Sequence, residues 1–231
     1  MLQDLIFNSA LFGLILSLVA YEIGLRIKAK LKLAIFNPLL ISIILIIAVL
    51  LVFDIDYEEY NNGAKYLGYL LTPATMCLAV PLYEQLEILK KNVKAIMAGI
   101  ISGVITSMSS ILALSIIFNF SHTEYVTILP KSITTAIGIG ISEELGGIVT
   151  ITVAVIIITG IFGNMTAEFV CKVFKINEPI ARGVAIGSSA HAMGTAKAIE
   201  MGPIEAAISS LTIAVAGIVT VVAVSFYATL L

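Results

Sequence analysis

Five apolar windows, near Leu5–Tyr21, Leu33–Phe53, Ala95–Phe118, Ile148–Ala167 and Ala206–Leu231, constrain this chain more than any other feature. A bilayer core of about 30 Å needs about 20 apolar residues in an α-helix, the form that satisfies every backbone amide and carbonyl where water is absent. The last four windows carry no charged residue. With 59% hydrophobic and 12% charged residues and a mean hydropathy of +1.08, an ordinary soluble domain is excluded. The expected fold class is all-α: a multi-pass protein of the cell membrane, with about seven to eight helices in one transmembrane domain over residues 1–231.

Loop charges orient these windows. Arg26, Lys28, Lys30 and Lys32 follow the first, Asp54, Asp56, Glu58 and Glu59 follow the second, and Lys90, Lys91 and Lys94 precede the third. The positive-inside rule places the basic loops in the cytoplasm and the acidic loop outside. Lys172, Lys175 and Arg182 form another basic loop, so an odd number of crossings should separate them from Phe120. The first window lacks a basic start and a small-residue cleavage pattern, so it should remain as a helix rather than be removed as a signal peptide. Cys77 and Cys171 show neither metal-ligand spacing nor a disulfide framework, so no metal or cofactor is expected. The net charge of −2 gives no reason to expect nucleic acid.

Three stretches interrupt the apolar pattern: Leu71–Pro81, Pro130–Gly140 and Gly187–Lys197. Each mixes helix-breaking Pro or Gly with small hydroxylic residues. Broken backbone at membrane depth is tolerated only inside protein or along a wet cavity, so these stretches are candidate walls of a solute site. The uncharged run Ser132–Ser142 is too short to cross, and a re-entrant segment is expected over about 130–142. Plain helix, broken segment, plain helix then occurs at 33–118 and again at 148–231. Three crossings per unit would make the two copies inverted. Glu143 to Gly160 and Glu200 to Gly217 share a spacing of 17 residues. Gly99, Gly103 and Ser107, with Ser102 and Thr106 beside them, read as a stripe for close helix packing.

Ionisable residues in such segments are expensive and usually face a cavity or a partner. The candidate site comprises Thr72, Thr75, Lys131, Ser132, Thr134, Thr135, Ser188, Ser189, His191, Thr195 and Lys197. Lysine would supply charge for an anion, hydroxyls would supply donors, and half-helix N-termini would add their dipoles. Snorkelling to the interface is the competing role for the two lysines. His191 is the leading candidate to carry a coupling proton, with Glu84, Glu143 and Glu200 behind it. An enzyme would want a nucleophile with an oriented base, and Ser188, Ser189 and His191 have no acidic orienter in sequence.

The run from Tyr66 to Thr75, Ala79–Tyr83, Pro130–Thr135 with Ser142–Gly147, and Gly187–Glu200 together resemble the LrgB/CidB membrane-protein family. The likeness spans essentially the whole chain and takes the broken segments in order. Thr72 stands where Gly is usual before Pro, and Ala136 where Pro is common. Two functions are implied by the resemblance alone. One is a carrier of small 2-hydroxy or 2-oxo monocarboxylates, pyruvate- or glycolate-like. The other is antiholin-like control of murein hydrolase export and lysis. It also implies a homodimer and a small LrgA/CidA-type membrane partner.

Overall fold

A computed structural model describes residues 11–31 and 36–231, apart from the side chains of Leu71, Thr72, Thr75 and Leu82. Helices and turns account for the described residues, without a β-strand among them. The chain divides into two compact units, Met1–Cys77 and Leu78–Leu231.

In the first unit, α1 (Phe12–Leu31), α2 (Pro38–Val52), α3 (Tyr57–Gly68) and α4 (Leu71–Cys77) follow in order. Helix α1 runs about ten residues further than the apolar window suggested, because Arg26, Lys28 and Lys30 continue it. Asn37 starts α2 by accepting hydrogen bonds from the amides of Leu39 and Leu40 at 2.9 and 3.3 Å, with Pro38 at the first helical position. Gly24 lets α1 meet α2, since a Cβ there would lie 2.6 Å from the Pro38 carbonyl oxygen. Helix α3 carries Glu58 and Glu59 in its first turn and Lys65 in its last, each favoured by the helix dipole. The Tyr60 hydroxyl turns inward onto Ser17 Oγ at 2.7 Å. Tyr57, Tyr66 and Tyr69 remain exposed, as anchors at an interface would be.

The second unit holds α5 (Ala79–Glu84), α6 (Leu86–Ile117), α7 (His122–Ile128), α8 (Thr135–Glu144), α9 (Val149–Val173), α10 (Pro179–Met201) and α11 (Pro203–Tyr227). The helices outnumber the expected seven to eight because the chain around the first two interrupted stretches folds into short helices, α4 and α5, then α7 and α8. Among the described residues, α6, α9 and α11 are long and apolar enough to cross a membrane. Their outer faces carry Ile158, Phe162, Phe169, Ile218, Val222 and Phe226, all 65–72% exposed, where lipid can cover them. One face of α6, with Ile96, Ile100, Val104, Met108 and Ile111, packs with Tyr125, Val126, Leu129 and Ile208 into the main core.

Helix ends are made by a repeated local device. Asp54, Asn119, Lys175 and Gly146 have positive φ immediately after α2, α6, α9 and α8. In each case the next amide bonds five residues back, from Ile55 to Leu50, Phe120 to Ser115, Ile176 to Cys171 and Gly147 to Ser142, at 2.7–2.9 Å. This is the Schellman closure, which satisfies carbonyls that a helix end leaves open.

Two helical hairpins organise the second unit. The first is α7, a break at 129–134, and α8, whose end returns to its start: the Ile148 amide donates to Thr127 Oγ1 at 2.8 Å. Thr152 Oγ1 donates to the Thr127 carbonyl at 2.8 Å and meets Ser142 Oγ at 2.7 Å, closing the base of this hairpin. The second lies within α10, where His191 has φ 43° and ψ −141°. In a continuous helix Gly194 would lie about 12 Å from Ile186. Here a Cβ on Gly194 would sit 2.9 Å from Ile186 Cγ2, so the chain has doubled back. Ala167 of α9 accordingly packs against both Ile186 and Ala198.

The hairpins enter from opposite ends. Helix α6 and the first half of α10 run parallel, since Gly99 faces Val184 and Gly103 faces Ser188. The second hairpin therefore enters beside the start of α6, whereas the first begins where α6 finishes. Each hairpin is followed by a long helix, and each long helix has a glycine seated on the other hairpin. Gly160 of α9 meets the His191 ring, and Gly217 of α11 meets Ile137. The matched 17-residue spacing thus marks equivalent contacts. This pair covers 122–173 and 179–227, a different pairing from 33–118 with 148–231.

Candidate functional site

The two hairpin tips meet α6 partway along its length. Pro130 cannot continue α7, so the chain passes through an open segment before Thr134, in extended conformation, starts α8. Ser132 in this segment reaches Ser107 of α6, Oγ to Oγ, at 3.0 Å. At the second tip, the His191 ring is buried against Gly160, and its Nε2 donates to the Ile156 carbonyl at 3.0 Å. A non-glycine residue in this backbone region costs about 1–3 kcal/mol, so packing and that hydrogen bond must hold the break.

Between the tips and α6 lies a cleft of about 340 Å³, lined by Ser102, Gly103, Thr106, Ser107, Lys131, Ser132, Ser188 and Ser189. Lys131 is the ionisable group of this lining, and its Nζ donates to Ser132 Oγ at 3.0 Å. Six hydroxyls surround it. Ser188 and Ser189 donate to the Val184 and Ala185 carbonyls at 2.7 Å, which leaves their oxygen lone pairs for a solute's hydroxyl. The chemistry of the lining is one cation among neutral hydroxyls, without a carboxylate to compete for it.

Four of the residues marked from sequence, Lys131, Ser132, Ser188 and Ser189, line this cleft. Thr134 and Thr135 are half-buried at the start of α8 and outside the lining. Thr195 is fully buried and spent on Ser209 Oγ at 2.7 Å and the His191 carbonyl at 3.1 Å. Lys197 sits between Glu168 and Glu200 at 2.7 and 2.9 Å and is outside the lining. Glu84 and Glu143 are exposed near helix ends. Thr72 and Thr75 belong to α4 of the first unit, and their side chains lie outside the described residues.

One wall of the cleft has a different role from the one its sequence suggested. Ser102, Gly103, Thr106 and Ser107, taken as a packing stripe, form one wall of the cleft. The signal was present, since hydroxyls clustered midway along a lipid-crossing helix have no apolar role. Glu205, another segment-end carboxylate, is 5% exposed at the start of α11, with its carboxylate 3.6 Å from the Arg182 guanidinium. Arg182 also donates to the Ile176 carbonyl at 2.8 Å, so the pair ties the base of the second hairpin to α11.

Paired helical hairpins meeting α6 at a polar cleft define a helical membrane protein with a solute-sized cleft along its apolar bundle. The LrgB-like family model matches residues 17–230, and the chain belongs to that family. It is 38% identical to the antiholin-like protein LrgB of Bacillus subtilis (strain 168), over 96% of this chain and 97% of that protein. It is 37% identical to the antiholin-like LrgB proteins of Bacillus cereus (strain B4264) and Bacillus anthracis (strain CDC 684 / NRRL 3495), over 94% of each chain. No solved structure gives a significant match.

Proposed function

We propose that this protein is a secondary carrier of small 2-hydroxy or 2-oxo monocarboxylates across the cell membrane. The observation that carries this reading is the Lys131 cleft, where hairpins from opposite ends present one cation and three hydroxyls against three more on α6. A carboxylate on Lys131 gains a charge-assisted hydrogen bond of about 1.5–3 kcal/mol; a 2-hydroxy group can donate to the Ser188 or Ser189 oxygen, whereas a 2-oxo oxygen must accept from a lining donor such as the Lys131 ammonium. One cation suits one negative charge; a second carboxylate would lose its hydration without a partner. Helices broken at mid-depth and arranged as an inverted pair are the architecture of carriers that expose one site alternately to each side.

The names of the relatives support a second reading, an antiholin-like regulator of lysis. Uptake of radiolabelled pyruvate, glycolate and lactate into liposomes containing this protein alone separates the two. Saturable uptake that competing monocarboxylates inhibit supports the carrier. Correctly folded protein without uptake of any of the three would leave the regulator. A pH gradient imposed in the same assay tests proton coupling, for which His191, two residues beyond Ser189, is the candidate.

A further inference from the structure

The Lys131 cleft continues into a second cavity of about 500 Å³ that shares Ser102, Gly103 and Ser188 with it. This groove runs between α6 and the first half of α10, past Gly99, Val184 and Ala185, and ends at Asn92 and Glu178. Gly99 and Gly103 form its floor, where α10 approaches so closely that a Cβ on either would lie 2.9 Å from Val184 Cγ1 or Ser188 Oγ, and the small Ala181 and Ala185 leave the seam above them open as a groove. The end at Asn92 is the end flanked by Lys90, Lys91 and Lys94 on α6.

Beyond Ser107 and Ser132 the space closes. A void of about 10 Å³, barely one water, remains among Val104, Met108, Leu129, Ile133 and Thr220, side chains that are 1–4% exposed. Further along, Ser109 Oγ meets the Tyr227 hydroxyl at 2.6 Å, and the Tyr125 hydroxyl donates to the Tyr227 carbonyl at 2.9 Å. These contacts hold the far ends of α6, α7 and α11 together.

We infer that in this conformation solute reaches the Lys131 cleft along the α6–α10 groove from the Lys90–Lys94 end, and that the interior of the second unit is closed toward the Tyr125–Tyr227 end. The passage deepens the carrier reading and names the side on which solute meets the site. By the sign of its loops that end is cytoplasmic.

Single-cysteine variants Ala95→Cys and Ala185→Cys in the groove and Thr220→Cys behind the seal, built after Cys77→Ser and Cys171→Ser, test it. A charged, impermeant methanethiosulfonate is applied to either face of oriented membrane vesicles. The two groove cysteines should react about tenfold or more faster from the basic-loop face, since an opposite-facing minor state is populated at about 10% or less. Thr220→Cys should be protected from both faces. Equal rates from the two faces, or a groove cysteine inert from both, would overturn the passage. Labelling does not depend on transport: one-sided labelling without monocarboxylate uptake would leave the passage standing and remove the carrier.

Discussion

The two hairpin tips occupy comparable positions yet use their polar residues oppositely. The first tip, Pro130–Thr134, is an open segment that turns its lysine toward a cleft. The second changes direction at a single residue, His191, and spends its ring on the Ile156 carbonyl and on packing against Gly160. Both stretches read alike in sequence, with hydroxyls, glycines and basic residues, Lys131 in the first and His191 and Lys197 in the second. What distinguishes them is how the break is made. Where a proline opens the helix, the intervening side chains are free to line the cleft; where one residue takes a left-handed backbone, its side chain must hold the turn in place.

The comparison breaks most readily at Lys131. Lys131→Ala should reduce monocarboxylate uptake by about tenfold or more, with the thermal melt little changed, because the proposed anion loses the one cation among the described residues of the lining. Lys131→Arg should retain part of the activity. If uptake survived Lys131→Ala, the first tip would be structural too.

Stability should show the reverse ordering. His191→Leu removes a buried hydrogen bond and reshapes the packing of the second tip, and should cost about 1–3 kcal/mol in a detergent-solubilised melt. An unchanged melt accompanied by lost uptake would transfer His191 to the site. Gly160→Ala and Gly217→Ala sharpen the same point. An added methyl at 160 would lie 2.6 Å from the His191 ring, and one at 217 would lie 2.8 Å from Ile137 Cδ1, the mobile end of a side chain. Overpacking costs about 1–3 kcal/mol, and the alanine at 160 should be the more damaging of the two because a hydrogen-bonded ring cannot move aside.

Lys197 tests the contrast more gently. Its two carboxylate partners are half-exposed or more, so Lys197→Ala should change stability by about 1 kcal/mol or less and leave uptake near the wild-type level. A tenfold loss of uptake would enlarge the site beyond the cleft.

The smallest effect belongs to the exposed start of α7. Ser121 caps this helix, and its amide and hydroxyl donate to the Glu124 carboxylate at 2.7 and 2.8 Å, holding that carboxyl below its ordinary value of 4.5. A carboxylate with a lowered folded pKa stabilises the fold above the unfolded value and loses that contribution as pH falls through the folded one. Glu124→Gln should therefore lower Tm slightly at neutral pH and leave a smaller drop on acidification. An identical acid-induced drop in both proteins would show that the capping carboxylate is without consequence.

Much of this architecture was legible in the chain itself. Membrane class follows from uncharged windows, because lipid offers backbone groups no partner. The broken segments follow from Pro130 and from glycines among hydroxyls, and Lys131 with Ser132, Ser188 and Ser189 followed from asking which of those residues lipid would reject. The spacing from Glu143 to Gly160 and from Glu200 to Gly217 carried the hairpin-and-helix register. Tertiary structure alone decided which polar residues meet. Thr195 and Lys197 have the same local credentials as Ser188, but Ser209 lies across from one and Glu168 and Glu200 beside the other. Ser102, Thr106 and Ser107 became a wall of the site only because Gly99 and Gly103 let α10 approach, and Glu205 became buried only because Arg182 came to it. Periodicity and breaks are local properties that a sequence writes directly. Whether a hydroxyl or a charge is satisfied by its neighbours or left for a solute depends on which distant segment arrives opposite it, and only folding brings that segment there.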